Sequence, residues 1–294
     1  MEITGLSGWV REPDSEAKEA QPSFGTLLKP KLVGFTSGGL ASDMREFSPS
    51  RHNQIKSQTC VAQSMVRATE IKRIIKVYND SLALGMSAEQ ALVKAKAAHV
   101  ALSRLVLYFL SREFMNPPET DKDQGTIVSL AAEAYKAFGV AREEQDPNNP
   151  NDRAFWPFDL NKIFVPPSWL SMREAYLHKI DSWYRIQSKG SDRVDDVITA
   201  LAAGNPVVFG TTVGDNWLNY SGTVIRPVDG IVRGRHATVL VGWDPQEGTF
   251  WDENSWGPDW GINGFAKLTP DVISDSGSED FVVIQSGYEP YHKS

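Results

Sequence analysis

A single cysteine, Cys60, heads a long stretch in which Val61, Ala62, Met65, Val66, Ile71, Ile74, Ile75 and Tyr78 recur at spacings of three and four. That spacing predicts one buried face of a helix, with the thiol in its first turn. A lone cysteine also forbids an internal disulfide, so a packed core must hold the fold together. With 294 residues, 41% of them hydrophobic, and nine tryptophans, the chain can bury a large core, or two lobes that meet at a cleft.

The placement of the thiol bears on chemistry. A thiolate attacks carbonyls far better than a thiol does, and an ordinary cysteine is mostly protonated at neutral pH. Ser57 and Thr59 are candidate N-caps, and a helix start favours an anion by roughly 0.3–1 kcal/mol. In most soluble proteins a lone cysteine is a small buried hydrophobe; two downstream motifs argue otherwise here. His236 leads the β-branched run Ala237-Thr238-Val239-Leu240-Val241, which reads as a core strand. Asn254 follows the strand-like Thr249-Phe250-Trp251 and lies near Trp256 and Trp260, aromatic cover suited to shielding a hydrogen bond from water. An amide oxygen accepting from the imidazole would fix its tautomer and orientation.

Several segments together resemble the papain family of cysteine peptidases, in particular its bacterial and phage-type branch. Ser42-Asp43-Met44-Arg45-Glu46-Phe47 with Arg51-His52-Asn53-Gln54 is similar to that branch's entry segment, and SQTCVAQS to its nucleophile turn. LSRLVLYFLSRE resembles its second long helix, and DQGTIVSLAAEAYKAFGVAREEQ and ALAAGNPVVFGTTV resemble later segments. HATVLVGWD and ENSWGPDWGINGFAKL are similar to its histidine and asparagine motifs. The resemblance implies an α+β, papain-like two-lobe fold: a helical lobe, an antiparallel β-barrel-like lobe, and an active-site cleft between them. It implies Cys60 as nucleophile, His236 as base and acid, Asn254 as the residue that orients the imidazole, and Gln54 as oxyanion donor. Trp256 would cover the histidine–asparagine pair, and Gly210 would line the pocket for the substrate residue preceding the scissile one.

The chain departs from the family pattern at four positions. Ile55 and Gln58 stand where the family has glycines, crowding a normally bare turn; Val61 replaces an aromatic residue after the nucleophile; Arg235 replaces a glycine before the histidine. A cation beside the imidazole is expected to disfavour its charged form.

The implied activity is a cysteine endopeptidase acting on peptide or protein substrates without cofactor or metal. The alternatives are a structural or assembly component, such as part of a phage particle, that retains a papain-like body, and a cysteine amidase or transpeptidase. There is no phosphate-binding G-x-x-x-x-G-K-[ST] and no H-E-x-x-H pattern. His99, His178 and His292 read as structural or solvated, and His52 as non-catalytic. A net charge of −7 gives nucleic acid little to bind. No apolar run of about 18 residues suggests a membrane span. The start of the chain lacks the look of a signal peptide, so a cytoplasmic or otherwise reducing compartment is expected, virion association included.

Residues 1–38 stand apart as a charged tail, expected to be mobile and either to mask the cleft or to anchor a larger assembly, with Leu27 to Phe35 as a tether. Residues 39–165 are expected to form the helical lobe, and 166–294 the β lobe carrying His236 and Asn254. Ser87 with Gln90 has capping-box spacing and is expected to open one helix reaching about Phe114. Further helices are expected at Ile127 to Phe138, stopped by Gly139, and at Val194 to Ala203. Strands are expected at Val207 to Val213, Ala237 to Trp243, Phe265 to Leu268 and Phe281 to Gln285.

Overall fold

A computed structural model describes residues 6–15, 18, 20–24 and 41–286. The expected tether from Leu27 to Phe35, and His292, lie outside the described residues. After the short strand β1 (Ser42–Asp43) comes the expected helix, α1 (Cys60–Ala83). It is buried well beyond one face. Gln63, Ser64, Arg67, Thr69 and Glu70 are buried as fully as Met65 and Ile71, because the helix packs against other helices and the sheet at once. Its buried charges are paired, as burial requires: Arg67 meets Glu70 at 3.2 Å and Glu253 at 3.0 Å.

The single helix expected from Ser87 to Phe114 is two. Ser87 and Gln90 form the anticipated reciprocal cap of α2 (Ala88–Ala97). The chain then breaks, and Ser103, whose hydroxyl accepts from the Val106 amide, starts α3 (Arg104–Glu113). Between them, the Leu102 amide donates to the Glu70 carboxylate and the Ser103 amide to Ala141 O. These tertiary partners outweigh continued helix. α4 (Val128–Phe138) ends at Gly139 as expected.

α5 (Trp169–Ala175), β2 (Ser182–Arg185) and α6 (Gly190–Ala202) lead into the sheet. β3 (Val207–Val213), a short α7 (Asp215–Leu218) and β4 (Val224–Ile225) precede β5 (Gly234–Asp244). β6 (Thr249–Glu253), β7 (Phe265–Leu268), α8 (Pro270–Ser274) and β8 (Glu279–Gln285) follow. The strand order is β2-β8-β3-β5-β6-β7-β4, with β1 on β5. All pairings are antiparallel except β4 with β7. The fold is α+β, and the sheet is an open path rather than a closed barrel. One contiguous apolar core joins α1 to β3, β5 and β8. The first turn of α1 is thereby set against the His236 end of β5. Among the described residues, no helix is long and apolar enough to cross a membrane.

Candidate active site

The loop entering α1 is knitted by its own polar side chains. Ser57 Oγ donates to Gln54 O and meets Thr59 Oγ1, which accepts from Gln63 Nε2. Thr59 occupies the N-cap position yet makes no side-chain cap, because its hydroxyl is committed to these partners. The amides of the first turn are therefore not taken by a capping side chain, and Cys60 Sγ sits among them.

Cys60 is fully buried. Its thiol receives the Ala237 amide at 3.4 Å, which ties the start of α1 to β5. Burial pushes the thiol up to about 12, against the lowering effect of the Ala237 and helix amides.

The sheet register that pairs Val239 with Glu253 brings Asn254 alongside His236. His236 Nε2 and Asn254 Oδ1 are 2.7 Å apart. The same Oδ1 accepts from the Ser255 amide at 2.7 Å, which fixes the oxygen toward the ring, so Nε2 must be the protonated nitrogen. Nδ1 is left as the basic one. It is buried, with no hydrogen-bond partner among the described residues. Trp256 lies across the imidazole with ring centroids 4.8 Å apart, and packs edge-on against Trp217 and Trp260. Burial brings His236 down to about 4, and the Asn254 bond only partly opposes it. Arg235 is not the cause. Its side chain is exposed, as alternation along β5 dictates, while His236 points inward.

Gln54 is fully buried. Its Nε2 donates to Ser57 O at 2.9 Å, and its Oε1 accepts from Ser255 Oγ at 2.6 Å. Ser255 thus holds both Gln54 and Asn254, a role no sequence signal suggested. Asn53 bridges Trp256, and the Gly257 amide donates to His52 O, closing the two loops on each other. His52 is 3.5 Å from Glu70, as is His99, and His178 lies 3.4 Å from Glu174. Each of the three thus faces a carboxylate of the scaffold. Ile55 is exposed and held at φ 57°, a left-handed conformation.

The N-terminal segment crosses this site. The Ser7 amide donates to Gln58 Oε1, and the Gln58 amide is held by Asp123. Leu6 O accepts from the Arg235 amide at 2.5 Å. Gly8 lies on the sulfur: a Cβ there would come 2.6 Å from Cys60 Sγ. Gly8 O accepts from the Thr126 amide, and Val10 N donates to Thr126 O. Trp9 enters a pocket whose wall is Gly210. Gln58, Gly210 and Arg235 each lie against the N-terminal segment. Sequence reasoning did not single out Asp123 and Thr126, although both stand in the quoted DQGTIVSL segment, or Asp280 at the start of β8, because the parts they play are contacts with residues distant in sequence.

A buried thiol at a helix start thus stands against the strand that carries an imidazole with one nitrogen pinned by an amide oxygen. Residues 42–285 match the model of the papain family cysteine proteases, and the chain belongs to that family. It is 28% identical over 202 residues to an uncharacterized peptidase C1-like protein, L477, of Acanthamoeba polyphaga mimivirus, a match covering 64% of this chain and 60% of that one. It is 33% identical over 90 residues to the cathepsin B-like CP3 of Giardia intestinalis, covering 30% of each. The matches thus span less than two thirds of either relative. Its fold is similar to that of xylellain, a cysteine protease from Xylella fastidiosa, with a TM-score of 0.69, 21% identity, and 98% and 99% of the two chains covered.

Proposed function

We propose that this chain is a cysteine endopeptidase of the bacterial and viral kind, built as a helical lobe and a sheet lobe and latent under its own N-terminal segment. The observation that carries the reading is the pinned imidazole: Nε2 held by Asn254 at 2.7 Å beside the buried thiol of Cys60. With the cleft open, His236 Nδ1 takes the thiol proton as Sγ attacks a peptide carbonyl carbon. The Cys60 amide and Gln54 would receive the oxyanion; loss of one such donor costs about 2.7–4 kcal/mol of barrier in a serine protease. His236 then returns the proton to the leaving amine, and water, deprotonated by His236, hydrolyses the thioester.

Under the tail this chemistry is off. A thiol raised to about 12 beside an imidazole lowered to about 4 stays a neutral pair at physiological pH. Gly8 also fills the space a scissile peptide needs. A masking role for the tail is favoured over an assembly anchor because its residues bond to the cleft itself.

The test is intact-mass analysis after an epoxysuccinyl probe of the full-length chain with its tail loosened by Gly8→Ala, alone and combined with Cys60→Ala or His236→Ala, followed by product masses on a peptide mixture. One adduct absent from both variants, with products bearing the mass of added water, is expected. Cleavage that persists in Cys60→Ala would sink the assignment, and products joined to an acceptor amine would make the enzyme a transferase.

A further inference from the structure

Lys72, on α1, is a half-buried amine with no acid beside it. Its Nζ donates to Asn205 Oδ1 and, at 3.2 Å, to Gln285 Oε1. Both acceptors are neutral amide oxygens, whereas Lys76 meets Asp80 and Lys267 meets Glu247. Among the described residues no carboxylate pairs with Lys72. Taking an ammonium out of water with no opposite charge in return favours the neutral amine, which is the nucleophilic form. Burial accordingly brings Lys72 down to about 8.

The amine also has room beside it. It lines an open groove of about 570 Å³ between α1 and the turn from α6 into β3, together with Ile75, Asn79, Ala203 and Gly204. A Cβ added at Gly204 would meet nothing within 4 Å. Ser286, just beyond β8, lines the same groove, and its hydroxyl has no partner among the described residues. The groove thus offers a nucleophile, free space, and a hydroxyl able to donate to a carbonyl oxygen.

We infer that Lys72 is an acylation site, taking a small acyl group from an activated donor, an acyl phosphate or an acyl thioester. The neutral Nζ attacks the carbonyl carbon of the donor and a C–N bond forms. The C–O or C–S bond breaks, phosphate or thiolate leaves with the electron pair, and the amine's proton passes to water. The product is an uncharged amide with one N–H where the ammonium had three. Asn205 and Gln285 can then no longer both be served, so acylation loosens the tie between α1, the α6–β3 turn and the end of β8. None of this depends on the Cys60 site.

The test treats the full-length wild type at pH 7.5 with limiting acetyl phosphate in one arm and limiting S-acetyl-N-acetylcysteamine in the other, and follows each lysine by peptide mass mapping. About a quarter of the Lys72 amines are neutral at that pH, against about one in a thousand for an ordinary lysine. Lys72 should therefore acetylate at least about tenfold faster than the exposed Lys94. Its rate should level off above about pH 8 while that of Lys94 keeps climbing. Asn205→Asp keeps an acceptor in place and sets a carboxylate against the amine, which should slow Lys72 by about tenfold at pH 7.5. Labelling by one donor alone supports the site and identifies that donor as its source. Acetylation of Lys72 no faster than that of Lys94 with both donors overturns the inference, and that result needs no variant to fold. A folded Asn205→Asp protein that acetylates Lys72 as fast as the wild type overturns it too.

Discussion

Gly8 and Cys60 touch: a single added methyl on Gly8 would stand 2.6 Å from the sulfur and 2.6 Å from Gln58 O. No flexible side-chain end is available to yield, since one neighbour is backbone and the other is pinned at a helix start. Overpacking of this kind costs about 1–3 kcal/mol. Gly8→Ala should therefore loosen the tail, and epoxysuccinyl labelling of Cys60 in the full-length protein should quicken by about tenfold, each 1.4 kcal/mol being a factor of ten. Labelling no faster than in the wild type would mean that the tail is not what protects the thiol.

Cys60, His236 and Asn254 were legible because each stands where a strong local pattern begins or ends: a helix start, a strand start, a strand end. The tail's path was not. Part of it is held by backbone pairings to Thr126 and Arg235, which any sequence can make, and by one glycine whose value is the absence of a side chain; its side-chain anchors, Trp9 and Arg11, meet Asp280 and Glu279, which are far away in sequence. The break between α2 and α3 was hidden for a related reason. Residues 98–103 contain no glycine or proline, and the break is set by Glu70 and Ala141, which are distant in sequence. The inferred effect of Arg235 on the imidazole failed because adjacency in a strand puts neighbours on opposite faces.

Ile55 marks a place where sequence and backbone disagree. A β-branched residue at φ 57° carries a left-handed penalty of about 1–2 kcal/mol. The Asn53 side chain, accepting the Ile55 amide at 2.8 Å, holds it there. The side chain is 56% exposed, so little burial is lost by removing it. Ile55→Gly should raise stability by about 0.5–1 kcal/mol, after allowing for glycine's greater freedom in the unfolded chain. The midpoint of urea unfolding is the measurement. An unchanged or lower midpoint would show that the turn is not strained.

The covered site should be sensitive to acid. Burial brings His236 to about 4, below its ordinary 6.5, so between those values the unfolded chain takes up a proton that the folded chain refuses. The contribution of the neutral His236 to folding is therefore fully present above pH 6.5 and is lost progressively as pH falls toward 4, by at most roughly 3 kcal/mol at about 1.4 kcal/mol per pH unit. Burial lowers His52 and His178 as well, so the wild type must be compared with His236→Gln. The drop in melting temperature between pH 7 and pH 4.5 should be smaller in the variant. Equal drops would remove His236 from the account.

Asn254 does two jobs with one oxygen, accepting from His236 Nε2 and from the Ser255 amide. Asn254→Ala would leave a buried imidazole N–H without its acceptor, a penalty of about 1–3 kcal/mol. It would also free the ring to present the wrong nitrogen to the thiol. Once the tail is displaced, kcat should fall by about 10- to 100-fold with KM little changed, because Asn254 touches the histidine and not the substrate. Asn254→Asp keeps an acceptor in place and should restore part of the rate, with a pH profile shifted upward as the carboxylate stabilises the imidazolium. If Ala and Asp lose equally, and through KM, Asn254 serves the shape of the Ser255 loop rather than the orientation of His236.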